Sequence, residues 1–475
     1  MSPKVKLTKS DFMLYKSSPM HLWARKHGAI TKVISATEQH RAQQGYVVEA
    51  HAKVWLNHRL DTFYTDGDIF WQTTYDDGAF ESRADGLIYD ATHDVYDIYE
   101  VKATSGYKKE HLIDTAFQKL VCMASIPVRD VYIVHLNKAY MAQGEINAVD
   151  LLTATKITDA VDQLLDQIGT ERQAALRVAK QSSSAGLNAC YKPGDCPCPE
   201  LCHPNLPQHA IYNLPRLSRK KIDDLRGRGI LSVYDVPDDY QLSDKQQQYV
   251  DAVKYGQPII KQAKLKAFLN SLTYPLAFLD YETYASAVPA FDDYAPYENI
   301  VFQYSLHIVD APNAQLRHVD YLAHNDADPA ANLADHLAHN MPDKGHVIAW
   351  NQSFEAARNR EMGERFGHLR DFFADINERL VDLGDVVNKG YYVHPAFEGS
   401  WSIKKVLPVL APHLRYDTMA IGDGGTASMT WWQCINGEIA LEDVEKVRDN
   451  LLRYCELDTL AMVELWKVFC QCAEL

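Results

Sequence analysis

The chain has 475 residues, of which 47% are hydrophobic and 23% charged, and its formal net charge is −15. That length predicts two or three domains with real cores, and that charge excludes a lysine-coated general binder of polyanions. It leaves open a protein whose carboxylates gather divalent metal, because such clusters are themselves acidic. No apolar run is long enough to span a bilayer, and the start, MSPKVKLTKS, has no apolar signal core, so a cytoplasmic protein with no membrane partner is expected. In that compartment clustered cysteines point to metal ligands rather than disulfides.

The first segment opens with helical periodicity and turns strand-like through FYTDGDIFWQTTYDDGAFESRADGLIYDATHDVYDIYEVKAT, with turn signals at Asp66-Gly67 and Asp77-Gly78. Helical pattern returns near 110–122, a strand is expected at 130–136 and a long helix at 154–180. QSSSAGLN (181–188) reads as a loop and leads into a cysteine-rich stretch. Residues 206–268 look helical and charged, a connector. Within it LSRKKIDDLRGRGILSVYDVP predicts two short helices around Gly227 and Gly229, which either contact a nucleic-acid backbone or pack as a linker. Local basic patches, RLSRKK (216–221) and GYKKEH (106–111), offer phosphate contacts. A strand-led unit begins at YPLAFLDYET and runs on to residue 475 with alternating strand and helix signals. The expected fold class is α/β, with domains at 1–205 and 269–475 joined by the 206–268 connector.

Two constellations carry chemistry. In RADGLIYDATHDVYDIYEVKAT, Glu100 and Lys102 are two apart on one strand and so share a face, with Asp85 supplied by the neighbouring strand. Two carboxylates suit Mg2+ or Mn2+, and a lysine can stabilise charge on a phosphate. A solvated hairpin with alternating charges would look similar. In LAFLDYET, Asp280 and Glu282 again share a strand face; HVIAWNQSFEAARNREM is a strand followed by a helix start carrying Glu355; and LLRYCELDTLAMVELW is an amphipathic helix with Tyr454 and Asp458 four apart on one face. Asp280, Glu282, Glu355 and Asp458 can converge on a two-metal phosphodiesterase site, with Tyr454 orienting the attacking water. Each piece alone is common by chance; the three in this order are not.

The first constellation resembles the PD-(D/E)XK nuclease superfamily, in its RecB-like branch. That resemblance implies a role for Gln118 in DTAFQKLVCMA and for Glu49 in QQGYVVEAHAKVWL, with His51 nearby as a second candidate better explained as a helix-surface residue. The second constellation resembles the DEDDy class of DnaQ-like 3′–5′ exonucleases on a ribonuclease-H-like fold. It departs from that class at Glu355, where an aspartate is usual; Asp382 in LVDLGDVV is the runner-up, with a structural role more common there. The whole chain is similar to a bacterial family of uncharacterised proteins that fuses a RecB-like nuclease to a DnaQ-like domain, and VPAFDDYAPYENIVFQYSLHIV and HLRYDTMAIGDGGTASMTWW look like further hallmarks. The implied activity is metal-dependent hydrolysis of nucleic acid, DNA above all; the rival is a non-catalytic nucleic-acid-binding or assembly protein that keeps the folds.

In RecB-like nucleases related to the CRISPR-associated ones, three cysteines after the core and one near the N-terminus hold an iron–sulfur cluster. CYKPGDCPCPELC resembles the first part, with Cys190, Cys196 and Cys202 in matching positions, but Ser18-Pro19 stands where Cys-Pro is expected. Serine is a poor ligand for such a cluster. Cys198 is the candidate replacement and would make an all-local [4Fe–4S] site. Four thiolates also suit tetrahedral zinc, although the C-x2-C pairs that zinc favours are absent, and decay to four reduced thiols is the third alternative.

Overall fold

The computed structural model describes residues 5–30, 36–324 and 327–475. Residues 1–4, where the stretch read as lacking a signal core begins, lie outside the described residues. The chain divides into two units, Met1–Asn205 with Ala285–Glu298, and Leu206–Tyr284 with Asn299–Leu475. Both mix strands and helices. No helix among the described residues is long and apolar enough to cross a membrane.

The first unit carries strands β1 (Leu7–Thr8), β2 (Gly67–Asp76), β3 (Phe80–Asp90), β4 (Val95–Lys102), β5 (Val128–Leu136) and β6 (Leu152–Lys156). They form one sheet in the order β1-β3-β4-β5-β6, with β2 paired to β3. The turn at Asp77-Gly78 closes the antiparallel β2–β3 hairpin. β4 and β5 run parallel, so the chain must cross over between them, and helix Lys109–Cys122 makes that crossing. The sheet is apolar on both faces. Leu87, Ile98 and Ile133 pack with Phe12, Leu22 and Phe117 on one side. Their immediate neighbours Ile88, Tyr99 and Val134 pack on the other with Val48, Trp55 and Leu56 of helix Ala36–Phe63. Side chains of period two thus bind helices to both faces, each buried apolar side chain contributing about 1.5–3 kcal/mol.

The long helix expected at 154–180 is instead three elements: the end of β6, a short helix Thr158–Asp162 and helix Leu165–Lys180. Thr153 and Thr155 are β-branched, and their pairing with His135 and Ile133 of β5 satisfies the edge of the sheet, which outweighs local helical pattern. Segment Ala285–Glu298 completes this unit. The Ala142 and Asp293 amides donate to the Tyr294 and Ala142 carbonyls at 3.1 and 2.8 Å, and the Tyr297 hydroxyl donates to the Ala103 carbonyl at 2.6 Å.

The second unit carries β7 (Ile259–Ile260), β8 (Leu276–Tyr284), β9 (Ile300–Val309), β10 (Arg317–Leu322), β11 (His346–Ala349), β12 (Leu380–Asp382) and β13 (Tyr392–Val393). β7 and β13 pair apart; the main sheet runs β10-β9-β8-β11-β12. β10, β9 and β8 form an antiparallel meander, and β11 and β12 continue parallel to β8. On β8, Ala277, Leu279 and Tyr281 enter a core with Leu333, Leu337 and Phe373 of helices Pro329–Asn340 and Arg370–Arg379. The intervening Asp280 and Glu282 are left for the opposite face, where helix Leu441–Cys472 lies. Residues 206–268, read as a connector, fall inside this unit. Of the two short helices expected there, Arg219–Gly227 is formed, whereas the second is a single 3-10 turn at Val233–Asp235, because Pro237 disfavours helical backbone at the residue before it.

One glycine sets the β8–β11 junction. Gly345 has φ +82°, and a Cβ there would lie 2.0 Å from the Pro275 carbonyl oxygen, where His346 pairs with Leu276. Gly345→Ala should destabilise the chain by more than about 2 kcal/mol in denaturant melts, through both strain and overlap. Gly169→Ala, inside helix Leu165–Lys180 with nothing within 4 Å of the new Cβ, should instead stabilise by about 0.5–1 kcal/mol. Equal effects of the two would show that backbone conformation does not decide them.

Candidate functional site

Asp280 and Glu282 leave β8 on the same side, and Asp458 meets them from helix Leu441–Cys472. One carboxylate oxygen from each lies within 4.8 Å of the other two. Glu282 and Asp458 are buried and Asp280 is half-buried. Burial, then the charges of Asp458, Glu282 and Glu355, hold the Asp280 carboxyl well above the usual range. Burial and Asp458 do the same to Glu282. Burial pushes Asp458 up to about 6, against a Tyr416 hydroxyl that donates to its Oδ1 at 2.6 Å. Three like charges this close in a dry setting keep protons unless a cation joins them. The donor set is all carboxylate, which suits a hard divalent ion such as Mg2+ or Mn2+.

Tyr454 is buried one helical turn before Asp458 and favours the ionised form of its carboxylate. Glu355 is 2% exposed on helix Ser353–Arg365 and is not part of the three-carboxylate group, although its charge bears on Asp280 and Glu282. Its Oε2 is buried without a hydrogen-bond partner, and burial, with the nearby Asp382 charge, pushes it up to about 8. Asp382 accepts the Asn351, Gln352 and Gly384 amides at 3.0, 3.2 and 2.9 Å, so its oxygens are committed to turning the chain after β11 and β12.

Sequence reasoning missed three members of this site. Tyr416 anchors Asp458. The Lys404 ammonium lies 5.4 and 5.6 Å from the Tyr416 and Tyr454 ring centres, and its charge favours ionisation of Glu282 and Asp458. The Cys455 thiol points at Asp280 Oδ2 from 3.8 Å. Tyr416 and Lys404 have no fixed spacing from the Asp-x-Glu strand, so only the folded chain brings them together. Tyr416 lies in HLRYDTMAIGDGGTASMTWW and Cys455 in LLRYCELDTLAMVELW, three residues before Asp458, but neither was singled out there.

In the first unit the side chains form two hydrogen-bonded groups. Lys102 donates to Glu100 and to Asp114, both at 2.7 Å, and Lys9 from helix Lys9–Ser17 donates to the same Glu100 oxygen at 2.6 Å. Burial would raise the Glu100 carboxyl, but Lys102 and Lys9 prevail and hold it down to about 2. The second group runs from Glu49 through Gln72, which donates to Glu49 at 2.6 Å and approaches Asp85 at 3.4 Å. Gln72 has φ +50°, a left-handed conformation uncommon for a non-glycine residue, at an interruption of the β2–β3 register opposite Asp85. Asp85 also accepts the Val101 amide at 3.0 Å. Burial and the Glu100 charge push Asp85 up to about 7. Gln118 is buried and donates to the Arg83 carbonyl at 3.2 Å. His51, half-buried, joins none of these bonds. Lys9 and Gln72 carried no motif signal, and Asp114 opens DTAFQKLVCMA, where only Gln118 was singled out.

The four cysteines of 190–202 lie buried in one apolar cluster with Met20 and Ala24. Cys196, Cys198 and Cys202 group with His21, and Cys190 groups with Cys196 and His203. Ser18 caps helix Pro19–Lys26 and donates to the Asn188 carbonyl at 2.9 Å.

A family model described as a domain of unknown function, DUF2779, matches residues 277–402, a span that includes Asp280, Glu282 and Glu355 but not Tyr454 or Asp458. The chain is 28% identical over 240 residues to the uncharacterized protein UU173 of Ureaplasma parvum serovar 3, covering 46% of this chain and 34% of that one. It is 26% identical over 224 residues to the uncharacterized MG366 homolog of Mycoplasma pneumoniae, covering 42% and 33%. The chain therefore spans about a third of the length of the curated relatives it matches. Among solved structures, the alkaline exonuclease LHK-Exo of Laribacter hongkongensis aligns at 20% identity over 37% of this chain and 88% of that one, with a TM-score of 0.26.

The raised carboxyls give a signed pH dependence. A carboxyl whose folded pKa is raised contributes stability that is full below its unfolded value, about 4, and is lost as pH rises through the folded value. For Asp458 and Glu355 the folded values are about 6 and about 8, so melting of the metal-free chain should move downward between about pH 5 and 8. Mg2+ or Mn2+ should reverse this, the gain growing with pH and reaching roughly 2.7 kcal/mol at a hundredfold excess over Kd. Asp458→Asn should remove most of the gain; a gain as large as wild type in that variant would take Asp458 out of the metal site.

Proposed function

We propose that the chain is a metal-dependent nuclease that hydrolyses phosphodiester bonds in nucleic acid, with DNA as substrate. The second unit would act as a DnaQ-like 3′–5′ exonuclease on a ribonuclease-H-like fold, and the first as a RecB-like PD-(D/E)XK domain. The observation that carries the proposal is the group Asp280, Glu282 and Asp458, three carboxylates brought within 4.8 Å on a face where folding alone gains nothing from their proximity. The strand order β10-β9-β8-β11-β12 supports the ribonuclease-H-like reading. β3 and β4 followed by a crossover helix and parallel β5 support the PD-(D/E)XK reading.

In the second unit Asp280, Glu282 and Asp458 would hold Mg2+ or Mn2+, with Glu355 beside them, and such an ion supplies an activated water and neutralises charge on the scissile phosphate. The protein's own contribution is positional. Tyr416 and Tyr454 fix the Asp458 carboxylate, and Tyr454 orients the attacking water. Lys404, exposed at the rim, pairs with a non-bridging phosphate oxygen. In the first unit Asp85 and Glu100 would take the cation, and Lys102 stabilises phosphate charge. Glu100 is already neutralised there by two lysines, an observation that favours, for this unit alone, the second reading of a nucleic-acid-binding module.

With Mn2+ and end-labelled single-stranded DNA, duplex DNA and RNA, the chain should release mononucleotides from DNA 3′ ends. Asp280→Ala should lower that release roughly a hundredfold or more, about 2.7 kcal/mol of barrier, while Lys102→Ala leaves it. Cleavage that survives Asp280→Ala and disappears on adding Lys102→Ala belongs to the first unit; none surviving makes that unit a binding module. Undiminished 3′ release by Asp280→Ala would overturn the proposal.

A further inference from the structure

We infer that His21, Cys196, Cys198 and Cys202 form a mononuclear tetrahedral zinc site, and that His21 supplies the tie to the N-terminal helices for which Ser18 offers no ligand. The argument rests on distances. A tetrahedral ion with Zn–S of about 2.3 Å and Zn–N of about 2.0–2.1 Å sets its sulfurs roughly 3.8 Å apart and sulfur roughly 3.5 Å from nitrogen. Cys198 Sγ and Cys202 Sγ are 3.7 Å apart, and Cys196 Sγ is 3.5 Å from His21 Nε2. All four ligand atoms lie within 4.8 Å of one another. A four-iron cluster binds its thiolates to four different iron atoms around an inorganic core, and sulfurs so arranged stand too far apart for the contacts seen here. The residues fit zinc and do not fit that cluster.

The imidazole is also in the right tautomer. The single Ser17 hydroxyl proton is given to the Leu14 carbonyl at 2.7 Å. The 2.9 Å bond between Ser17 Oγ and His21 Nδ1 must therefore take its proton from Nδ1. In the neutral ring that leaves the Nε2 lone pair aimed at the sulfurs, the arrangement in which a metal-binding histidine is oriented by an acceptor behind it. His21, Cys196, Cys198 and Cys202 are 6%, 4%, 1% and 7% exposed, and the cluster around them is apolar. Cys190 abuts the set closely, interacting with Cys202 and His21 and grouping with Cys196. Its sulfur is also engaged by His203 Nε2 at 3.3 Å and the Lys192 carbonyl at 3.7 Å, and it is not one of the four atoms that lie mutually within 4.8 Å. Because His21 and Cys196 are 175 residues apart, the ion closes a long loop, where a cross-link restricts the unfolded chain most.

The full chain purified without added metal should be colourless and carry one zinc, and X-ray absorption at the zinc edge should show three sulfurs at about 2.3 Å and one nitrogen at about 2.0 Å. His21→Ala and Cys198→Ser should lose the zinc, Cys190→Ser should keep it, and His21→Cys should keep it with a fourth sulfur replacing the nitrogen. Ser17→Ala should weaken zinc roughly tenfold in competition with a chelator. Brown anaerobic protein with several irons per chain, a metal-free chain, or zinc lost from Cys190→Ser but retained in His21→Ala would each overturn the assignment. If His21→Ala does not fold, the wild-type absorption edge still decides, since four sulfurs and no nitrogen would exclude His21.

Discussion

Carboxylates that share a dry pocket repel one another, and the second unit is built around holding three of them together. Their strand, β8, is central in its sheet, so Asp280 and Glu282 are not free to turn outward without exposing Leu279 and Tyr281. Opposite them on β9, Ser305 pairs with Asp280 and Gln303 with Glu282, and these too are polar and buried. Gln303 donates to the Leu451 carbonyl at 2.9 Å, and Thr459 bonds both Ser305 and His307 at 2.7 Å. This seam of hydrogen bonds pins helix Leu441–Cys472 to the sheet and presses Asp458 against the other two acids. Buried polar networks of this kind rigidify when every member is satisfied. Here Gln303 Oε1 is left without a partner, and the acids the network positions are like charges crowded together, Asp280 and Glu282 each pushed up by burial and by the charge of Asp458.

The first unit solves the same electrostatic problem internally. Lys9 and Lys102 converge on one oxygen of Glu100, and Lys102 also takes Asp114, so the buried carboxylate is held ionised by the protein itself. Burying such a pair can cost as much in desolvation as its attraction returns, yet removing one partner is strongly destabilising because it leaves a buried charge uncompensated. The two units therefore differ in what a cation adds. In the second it would relieve repulsion already present; in the first it would have to compete with two ammonium groups for Glu100. Asp85, pushed up to about 7 and tied to Glu49 only through Gln72, is the member of that site left open to such competition.

What the sequence disclosed was whatever short-range geometry controls. Period two along a strand put Asp280 with Glu282 and Glu100 with Lys102. Period 3.6 put Tyr454 with Asp458. Turn chemistry at Asp77-Gly78 marked the β2–β3 hairpin. What it hid was set by tertiary convergence: Tyr416 and Lys404 reaching Asp458 from separate segments, Lys9 reaching across 91 residues to Glu100, and His21 reaching the cysteines. The expected helix at 154–180 failed at its start for the same reason, since Thr153 and Thr155 find partners on β5 that no local window contains. The substitution at Ser18 drew attention because a ligand type was missing there. The compensating residue lies three positions on, one helical turn inside the helix that Ser18 caps, so it points back to the cluster that position 18 itself does not serve.

Donor chemistry sorts the ions this one chain would carry. Thiolate and imidazole at His21, Cys196, Cys198 and Cys202 are soft to borderline ligands, complete at four, and sealed in apolar packing; such a site has no open position and can only hold structure. The oxygens of Asp280, Glu282 and Asp458 are hard, few for an ion that prefers six neighbours, and flanked by the exposed Lys404; positions left over are available to water and phosphate. The same divalent charge would therefore do different work at the two places. At the cysteines it restricts the unfolded chain by joining residues 175 apart. At the carboxylates it lets three acids stay ionised together, and an ionised, incompletely coordinated site is the one that can polarise a phosphodiester.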